Sequence, residues 1–256
     1  MLLENRGTLA QSRIHLLPNI TYRYFTAGFL YSRRSRATIG TEDAALYEFS
    51  ERTDIGPYAG VNLSLWGGIL KFGASGILLR RKEIIDERDR DTAIELESDN
   101  FNKGNALIIT GGTRLTLPMT FLPTFAATMH NMSGSEFSSS GAGAPEKKQQ
   151  TIDLGFSLTP QIGRATRVHF EINWKDTGNR FKGISTSRKL GFGLEFDFAR
   201  VAFLRLGYGD GWGSGGLGVK GKSFEFNLTT YAVDTTSSEF RGKEDRRFSM
   251  ELSAGF

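Results

Sequence analysis

The sequence predicts an all-β protein, a transmembrane antiparallel up-and-down β-barrel of about 12–14 strands with 14 favoured, formed as one domain over residues 1–256. Its 256 residues include 31 glycines and 20 phenylalanines but only 6 prolines, which is typical of many short strands joined by turns. Apolar and polar residues alternate with a period of two through most of the chain, as in strands and unlike helices. Short and long connections between these stretches alternate along the chain.

The alternating stretches follow one another along the chain. Weaker ones cover residues 58–66, 70–81, 107–117, 125–130 and 201–208. The clearest cover residues 151–159, 167–175, 189–199 and 223–229, each with an apolar set on one phase and a polar set on the other. Strands of this length suit a tilted membrane span.

The chain ends on a further alternating stretch, DRRFSMELSAGF. We expect it to be the closing strand, which pairs with the first strand and removes the sheet edge. The side chains predicted to face lipid are Phe248, Met250, Leu252, Ala254 and Phe256. Aromatic residues near predicted strand ends, which would form interfacial girdles, are Tyr22, Tyr24, Trp66, Trp174 and Phe256.

Short and long connections alternate in the way that outer-membrane barrels sort tight periplasmic turns from longer outer loops. The short ones are residues 66–68, 117–119, 198–200 and 220–222, and the long ones are residues 86–104, 132–150, 176–188 and 234–246. We expect 86–104 and 132–150 to be mobile and to gate the outer mouth. A fourteenth strand is expected within residues 1–11, upstream of them, or as a hairpin near 209–221.

A soluble β-sandwich or a lipocalin-like barrel is the alternative fold, in which the apolar face points inward. The sorting of the connections favours the membrane barrel. No run of about 18 apolar residues is present, so a membrane-spanning helix is not expected. The mean hydropathy of −0.29 is compatible with a membrane barrel, because alternating strands average to near zero.

The polar phase of the strands carries charges of both signs. The side chains predicted to line the lumen are Arg23, Lys71, Arg114, His169, Glu171, Lys175, Glu195, Asp197, Arg205, Glu225, Arg247 and Glu251. In an open barrel they would line an aqueous pore and set its ion preference. In a tighter barrel they would pair with one another and close it.

Motifs for other chemistry are weak. The stretch GYGDGWGSGG is followed by LGVKGKSFEF, so it predicts a hairpin and not a phosphate-binding loop. The run DERDRD lacks the glycine-centred calcium loop and predicts a solvated loop that can meet lipopolysaccharide phosphates. Zero cysteines exclude thiolate metal sites, and a net charge of +4 does not indicate a nucleic-acid partner.

His169 with Glu171 is the best candidate for a hydrolase site, since the two lie on one phase of a strand. No serine is marked as a nucleophile and a G-x-S-x-G elbow is absent. We therefore predict no catalytic residue, no cofactor and no metal ligand, and interpret His169 as part of a hydrogen-bonded network on the polar phase.

Two parts of the chain resemble the outer-membrane barrels of the long-chain fatty-acid transporter (FadL-like) family and its shuttle-type relatives in secretion systems. They are LLPNITYRYFTAGFLYSRR with TDIGPYAGVNLSLWGGILKFGASGILLRRKE, and LRLGYGDGWGSGGLGVKGKSFEFNLTTYAVD with the terminal FSMELSAGF. The resemblance implies fourteen strands, a small N-terminal plug in the lumen, and passage or capture of hydrophobic molecules.

These observations predict a porin-like transporter or channel of the Gram-negative outer membrane, through which small hydrophobic molecules diffuse passively. Its expected partners are outer-membrane lipid, lipopolysaccharide and the barrel-assembly machinery, whose signal the terminal Phe256 resembles. The alternatives are a closed-lumen scaffold that binds a protein partner and, third, a barrel-embedded hydrolase.

Overall fold

The computed structural model of the chain describes residues 9–39, 46–89, 100–234 and 244–254. These residues form an antiparallel β-sheet with one short helix, α1 (Thr186–Lys189), which confirms the predicted all-β class. The strands are β1 Leu9–Leu16, β2 Asn19–Tyr22, β3 Phe25–Ile39, β4 Leu46–Leu65, β5 Leu70–Asp89, β6 Asn102–Thr116, β7 Thr124–His130, β8 Ser140–Gly141, β9 Thr151–Leu158, β10 Gln161–Ile162, β11 Thr166–Trp174, β12 Leu190–Phe198, β13 Ala202–Gly209, β14 Trp212–Lys220, β15 Phe224–Asp234 and β16 Glu244–Ala254.

The sheet contains sixteen strands within the described ranges, more than the predicted number. Its order is β1-β3-β4-β5-β6-β7-β9-β11-β12-β13-β14-β15-β16, while β2, β8 and β10 pair beside this path. Those three are short pieces of two to four residues, so they raise the count without adding a full-length strand. Within the described residues β1 and β16 are the two ends of this path and do not pair with each other, so closure of the sheet stays a prediction.

A proline divides the first strand in two. Both β1 and β2 pair with β3, on either side of Leu17 and Pro18. Pro18 has no N–H to give to a ladder, but its carbonyl accepts a hydrogen bond from the backbone N–H of Phe29 at 3.1 Å. Part of the extra strand expected in residues 1–11 is therefore β1, and residues 1–8 lie outside the described part of the chain.

The glycine-rich stretch forms the hairpin β13–β14, as predicted. Asp210 and Gly211 both have left-handed φ angles, 52° and 86°, which suit the two-residue turn that matches strand twist. Ala199 and Arg200 make a similar turn between β12 and β13, with φ angles of 56° and 60°. The sorting of short and long connections thus has an exception, because the β13–β14 turn is short where the alternation predicts a long one.

The acidic and basic run that begins at Asp86 does not start a loop, since β5 continues to Asp89 and β6 begins at Asn102. Residues 90–99 lie outside the described ranges. None of the helical segments in the described part of the chain has the length and apolar character needed to cross a membrane.

The described residues fall into two compact units, within the following bounds. Unit 1 comprises Met1–Asn62, Gly73–Gly111 and Asn131–Gln149, and unit 2 comprises Leu63–Phe72, Gly112–His130 and Gln150–Phe256. The prediction of one domain over residues 1–256 stays a prediction.

The hydrophobic core of unit 1 lies under residues 131–149, which we call the covering segment. It consists of Leu79, Ala106, Ile108 and Phe137, with Leu30 and Ile77 packed against it. The sequence of this segment predicts a mobile outer loop, but the segment instead packs on the strands. The physical reason is Phe137, which finds an apolar patch on a face that the alternation predicts to be polar.

We predict that Gly56→Ala destabilises unit 1. A Cβ at Gly56 would lie 1.9 Å from the carbonyl oxygen of Leu78, so the neighbouring strands would have to separate. Overpacking of this kind costs about 1–3 kcal/mol, measurable by urea unfolding followed by circular dichroism. Gly73→Ala is the matched control, because its Cβ would meet only the Val61 oxygen at 3.8 Å. Equal stability of the two variants would contradict the close approach of β4 and β5.

Candidate functional site: the two faces of the sheet

The strands of unit 2 place their apolar side chains on one face. In an antiparallel pair, residues directly opposite one another share a face. Leu204 lies opposite Leu217, Leu217 opposite Leu228, and Leu228 opposite Met250. This apolar face is exposed, and its large exposed side chains include Phe192, Phe198, Leu204, Leu206, Leu217, Val219, Phe224, Leu228, Phe248, Met250 and Leu252.

The last strand shows the exposure most clearly. On β16, Phe248, Met250 and Leu252 are 76%, 73% and 72% exposed. Ala254, next on the same phase, is also exposed. Phe256 lies outside the described residues. That this face meets lipid stays a prediction at this point.

The opposite face of unit 2 is polar and its charges are paired. Glu195 lies opposite His169 on one side and opposite Arg205 on the other. Arg205 donates from Nε to Glu195 Oε2 at 2.5 Å and from Nη1 to Asn227 Oδ1 at 2.7 Å. Asn227 donates in turn to Glu225 Oε1 at 3.1 Å. A chain of donors and acceptors therefore crosses from β12 to β15.

A second ion pair joins β11 and β12 on this polar face. Arg167 donates from Nε to Asp197 Oδ2 at 3.0 Å, and Asp197 Oδ1 accepts the backbone N–H of Arg200 at 2.7 Å. Asp197 is only 5% exposed. A carboxylate so deeply buried needs these partners, because an unpaired buried charge is costly.

A glycine of β14 makes room for this network. A Cβ at Gly218 would lie 2.7 Å from Asn227 Oδ1 and 3.2 Å from Arg205 Nη1. A Cβ at Gly216 would lie 3.1 Å from the carbonyl oxygen of Leu228 and from Thr229 Oγ1. Gly218 is thus the glycine of β14 that the Arg205 and Asn227 side chains require.

His169 lies beside a cavity of about 480 Å³ on the polar face, which Glu171, Glu195, Asp197 and Arg205 also line. The structure thereby brings together five of the residues predicted for the lumen. Thr159 Oγ1 lies 2.8 Å from His169 Nδ1, whereas Glu171 Oε2 is 3.7 Å from His169 Nε2, beyond hydrogen-bond range.

This arrangement differs from a nucleophile–base–orienter triad in two ways. The orienting acid, Glu171, is too distant from the imidazole of His169. The two arginines at the cavity, which would have to stabilise an oxyanion, are engaged by Asp197 and Glu195. The interpretation of His169 as part of a hydrogen-bonded network and not of a hydrolase site stays a prediction.

The remaining residues predicted to line the lumen do not line the cavity beside His169. Arg23 occupies the turn between β2 and β3, with its guanidinium 5.3 Å from the centre of the Tyr22 ring. Lys71 and Arg114 are exposed on β5 and β6, and Lys175 is exposed just after β11. The others on this list share the polar face through their register with neighbouring strands, namely Glu225, Arg247 and Glu251. That the polar face lines a lumen stays a prediction.

A larger cavity, of about 570 Å³, lies in unit 2 where residues 175–189 fold over the strand ends. Lys189 closes its wall. Its Nζ donates to Asp176 Oδ2 at 2.7 Å, to Asn179 Oδ1 at 2.6 Å and to the carbonyl oxygen of Phe181 at 2.9 Å. Three acceptors satisfy the three donors of the ammonium group, so Lys189 is structural.

Asp176 is held ionised by its surroundings. Burial alone would raise the pKa of this carboxyl, but hydrogen bonds from Lys189 and from the backbone N–H groups of Phe181 and Arg180 lower the pKa below its ordinary value. Sequence reasoning missed this pair, because Asp176 lies in a connection without a periodic pattern and its partner Lys189 is thirteen residues away, at the start of the next alternating stretch.

A charge cluster in unit 1 also escaped the sequence analysis. It comprises Arg52, Asp54, Arg81, Glu83 and Glu146. Arg52 donates to Glu83 at 2.9 Å, and Arg81 donates twice to Asp54, at 2.7 and 3.1 Å. The signal was present, since Arg52 and Asp54 share one phase of β4, and Arg81 and Glu83 share one phase of β5.

Comparisons of the chain with protein-family models, with curated proteins and with solved structures find no match. The resemblance to the fatty-acid transporter family therefore stays a prediction. Within the described ranges, no group of three or more His, Cys, Asp or Glu side chains is placed to hold a metal ion.

We predict that Lys189→Met destabilises unit 2, because it leaves the buried Asp176 carboxylate without its cation. Removing one partner of a buried pair costs about 3–5 kcal/mol, measurable by urea unfolding in detergent. Lys147→Met is the control, since Lys147 pairs with the exposed Glu136 and exposed pairs contribute only about 0–1 kcal/mol. A Lys189→Met protein as stable as the control would contradict the buried pair.

The Asp176 carboxylate also predicts a pH dependence. Its folded-state pKa is lower than its unfolded value, so the ionised form stabilises the fold above the unfolded pKa of about 3.9. This stabilisation is lost as the pH falls through the lower folded-state pKa. In Asp176→Asn, the part of acid unfolding due to this group should disappear, as measured by urea unfolding between neutral and acidic pH. An unchanged pH dependence would contradict the assignment.

Proposed function

We propose that this protein is a porin-like β-barrel of the bacterial outer membrane that lets small hydrophobic molecules diffuse through a polar-lined lumen. The observation that carries the proposal is the inverted exposure of the sheet in unit 2. Phe248 and Met250 on the apolar face are more than 70% exposed, whereas Asp197 on the polar face is 5% exposed. In water, this arrangement forgoes the burial of apolar surface, and a lipid environment removes that penalty.

The same observation argues against the soluble alternatives. A β-sandwich or a lipocalin-like barrel buries its apolar face and exposes its polar one. Here the ion pairs Arg167–Asp197 and Arg205–Glu195 lie on the less exposed face. Charged side chains that pair with one another on an inner face are what a membrane barrel requires.

Exposed aromatic residues at strand ends give further support. Tyr22 and Tyr24 flank the β2–β3 turn, Trp66 begins the β4–β5 turn, and Trp174 ends β11. Tyr and Trp are enriched where a membrane meets water, because one end of each side chain is apolar and the other is polar.

A closed-lumen scaffold is the second candidate. The covering segment favours it, because this segment packs on the strands of unit 1 and buries Phe137. In such a barrel the outer connections would bind a protein partner and the lumen would pass nothing.

Membrane insertion predicts opposite effects for neighbouring residues of β16. Met250→Arg places a charge on the face assigned to lipid, where arginine costs about 2–4 kcal/mol at mid-membrane. We expect it to lower the folded fraction in lipid vesicles, measured by heat-modifiable gel migration and urea titration. Ser249→Arg, on the other face of β16 and also exposed, should have little effect.

The two variants separate the membrane barrel from a soluble protein. Both side chains are exposed, so in a soluble sheet both arginines would be tolerated equally. Equal folding of the two variants in vesicles, or a wild-type protein whose migration does not change on boiling, would contradict the membrane assignment.

Passage through the barrel predicts conductance in planar bilayers and uptake of small apolar dyes into proteoliposomes. Vesicles prepared without protein, and vesicles with boiled protein, are the controls. A protein that inserts but shows neither activity would contradict the channel and favour the scaffold.

A further inference from the structure

We propose that the covering segment, residues 131–149, is a releasable gate whose packing on unit 1 restricts passage. The inference rests on the proposed channel function. It assigns the gate to a segment packed on the sheet and not to a mobile loop at the mouth. Two groups of side-chain contacts hold this segment, beside backbone hydrogen bonds from Met132 and Ser138 to β6.

The first contact is an apolar anchor. Phe137 is 6% exposed and packs against Leu79, Ala106 and Ile108. The guanidinium of Arg81 lies 4.7 Å from the centre of the Phe137 ring, within cation–π range. One aromatic side chain thus fixes the middle of the segment to two strands.

The second contact is a latch at Glu146. Its backbone N–H donates to Glu83 Oε1, and its carboxylate accepts from Arg52 Nη2 at 3.1 Å. Its carbonyl oxygen accepts from Arg81 Nη1 at 3.3 Å. Three strand side chains therefore converge on one residue of the segment.

The latch is built so that release leaves no buried charge alone. Arg52 is paired with Glu83, and Arg81 with Asp54, whether or not the segment is in place. Glu146, the partner that would leave, already has a side chain that is 72% exposed. Because each strand charge keeps a partner, the segment can depart without the penalty that breaking a buried ion pair carries.

The two ends of the segment are tied together. Asn131 is fully buried, and its Nδ2 donates to the carbonyl oxygen of Lys148 at 2.7 Å. Its side chain thus joins the start of the segment to its end, as in a compact loop with adjacent ends. This geometry lets the residues between them move as one body.

A disulfide that joins the covering segment to the sheet tests the gate. Lys103 on β6 and Ser140 on β8 are directly opposite in the antiparallel register. Opposite Cα atoms in such a pair lie about 4.5–5.5 Å apart, within the range that a disulfide spans. The chain has no cysteines, so Lys103→Cys with Ser140→Cys introduces the only thiols.

We expect the oxidised double variant to conduct less than the same protein after reduction, by about tenfold if opening requires the loss of these contacts. The single variants Lys103→Cys and Ser140→Cys control for the substitutions, since their conductance should not respond to reductant. The comparison uses one folded, inserted preparation, so failure to fold cannot imitate the result.

A second measurement follows the release of the covering segment by thiol labelling and does not depend on conductance. Ala106→Cys places a thiol beneath Phe137, where the native side chain is 7% exposed. In that background, Glu146→Ala, which leaves the Phe137 ring in place over the thiol, should speed labelling by a membrane-impermeant maleimide about tenfold, because the latch at Glu146 is lost. Lys147→Ala, which alters only an exposed pair in the same segment, should not change the rate.

Three outcomes distinguish the two proposals. Conductance that falls on oxidation, with faster labelling in the Glu146→Ala variant, supports the gate. A protein that conducts equally when oxidised and reduced overturns the gate and leaves the channel standing. A protein that inserts but conducts in no form overturns the proposed function, and the gate with it.

Discussion

In the antiparallel ladder of unit 2, each side chain shares a face with the residue directly opposite it, and this register fixes the chemistry of both faces. The line from Leu204 through Leu217 to Met250 is apolar, and the line from His169 through Glu195 to Arg205 is polar. A slip of one residue in any pair would place charges among the apolar side chains. The charges on the polar face oppose such a slip, because each pairing exists only in the observed register.

The polar face in turn depends on pairing. Arg205 meets both Glu195 and Asn227, and among the glycines of β14 it is Gly218 that leaves space for Arg205 Nη1 to meet Asn227 Oδ1. Composition alone presents these glycines as turn residues. The position of Gly218 along β14 shows a second use, the clearance that a long side chain needs to cross a strand.

The sequence allowed the strands and their faces to be predicted, because alternation is a local property. It predicted the phase of Phe248, Met250 and Leu252, and it placed His169 and Glu195 in one polar set. It did not predict the split of the first strand, where Pro18 interrupts an otherwise regular pairing with β3.

Contacts between distant residues were beyond the reach of local patterns. Arg52, Glu83 and Glu146 come together only through the packing of the covering segment on the sheet. The composition of that segment, NMSGSEFSSSGAGAPEKKQ, is typical of a mobile loop, and Phe137 is its one aromatic residue. A single apolar side chain does not create a periodic signal, although its burial decides where the segment lies.

The two long connections that the structure describes differ in how their charges are held. In the connection of residues 175–189, the side chains of Lys189 and Asp176 are both 6% exposed, and either one alone would be a buried, unpaired charge. Beneath the covering segment, Arg52 on β4 and Glu83 on β5 stay paired with each other, and the exposed Glu146 of the segment joins them from outside. The first connection is therefore fixed by the penalty of opening it. The second lacks that penalty, which is the physical condition for a segment that closes and releases.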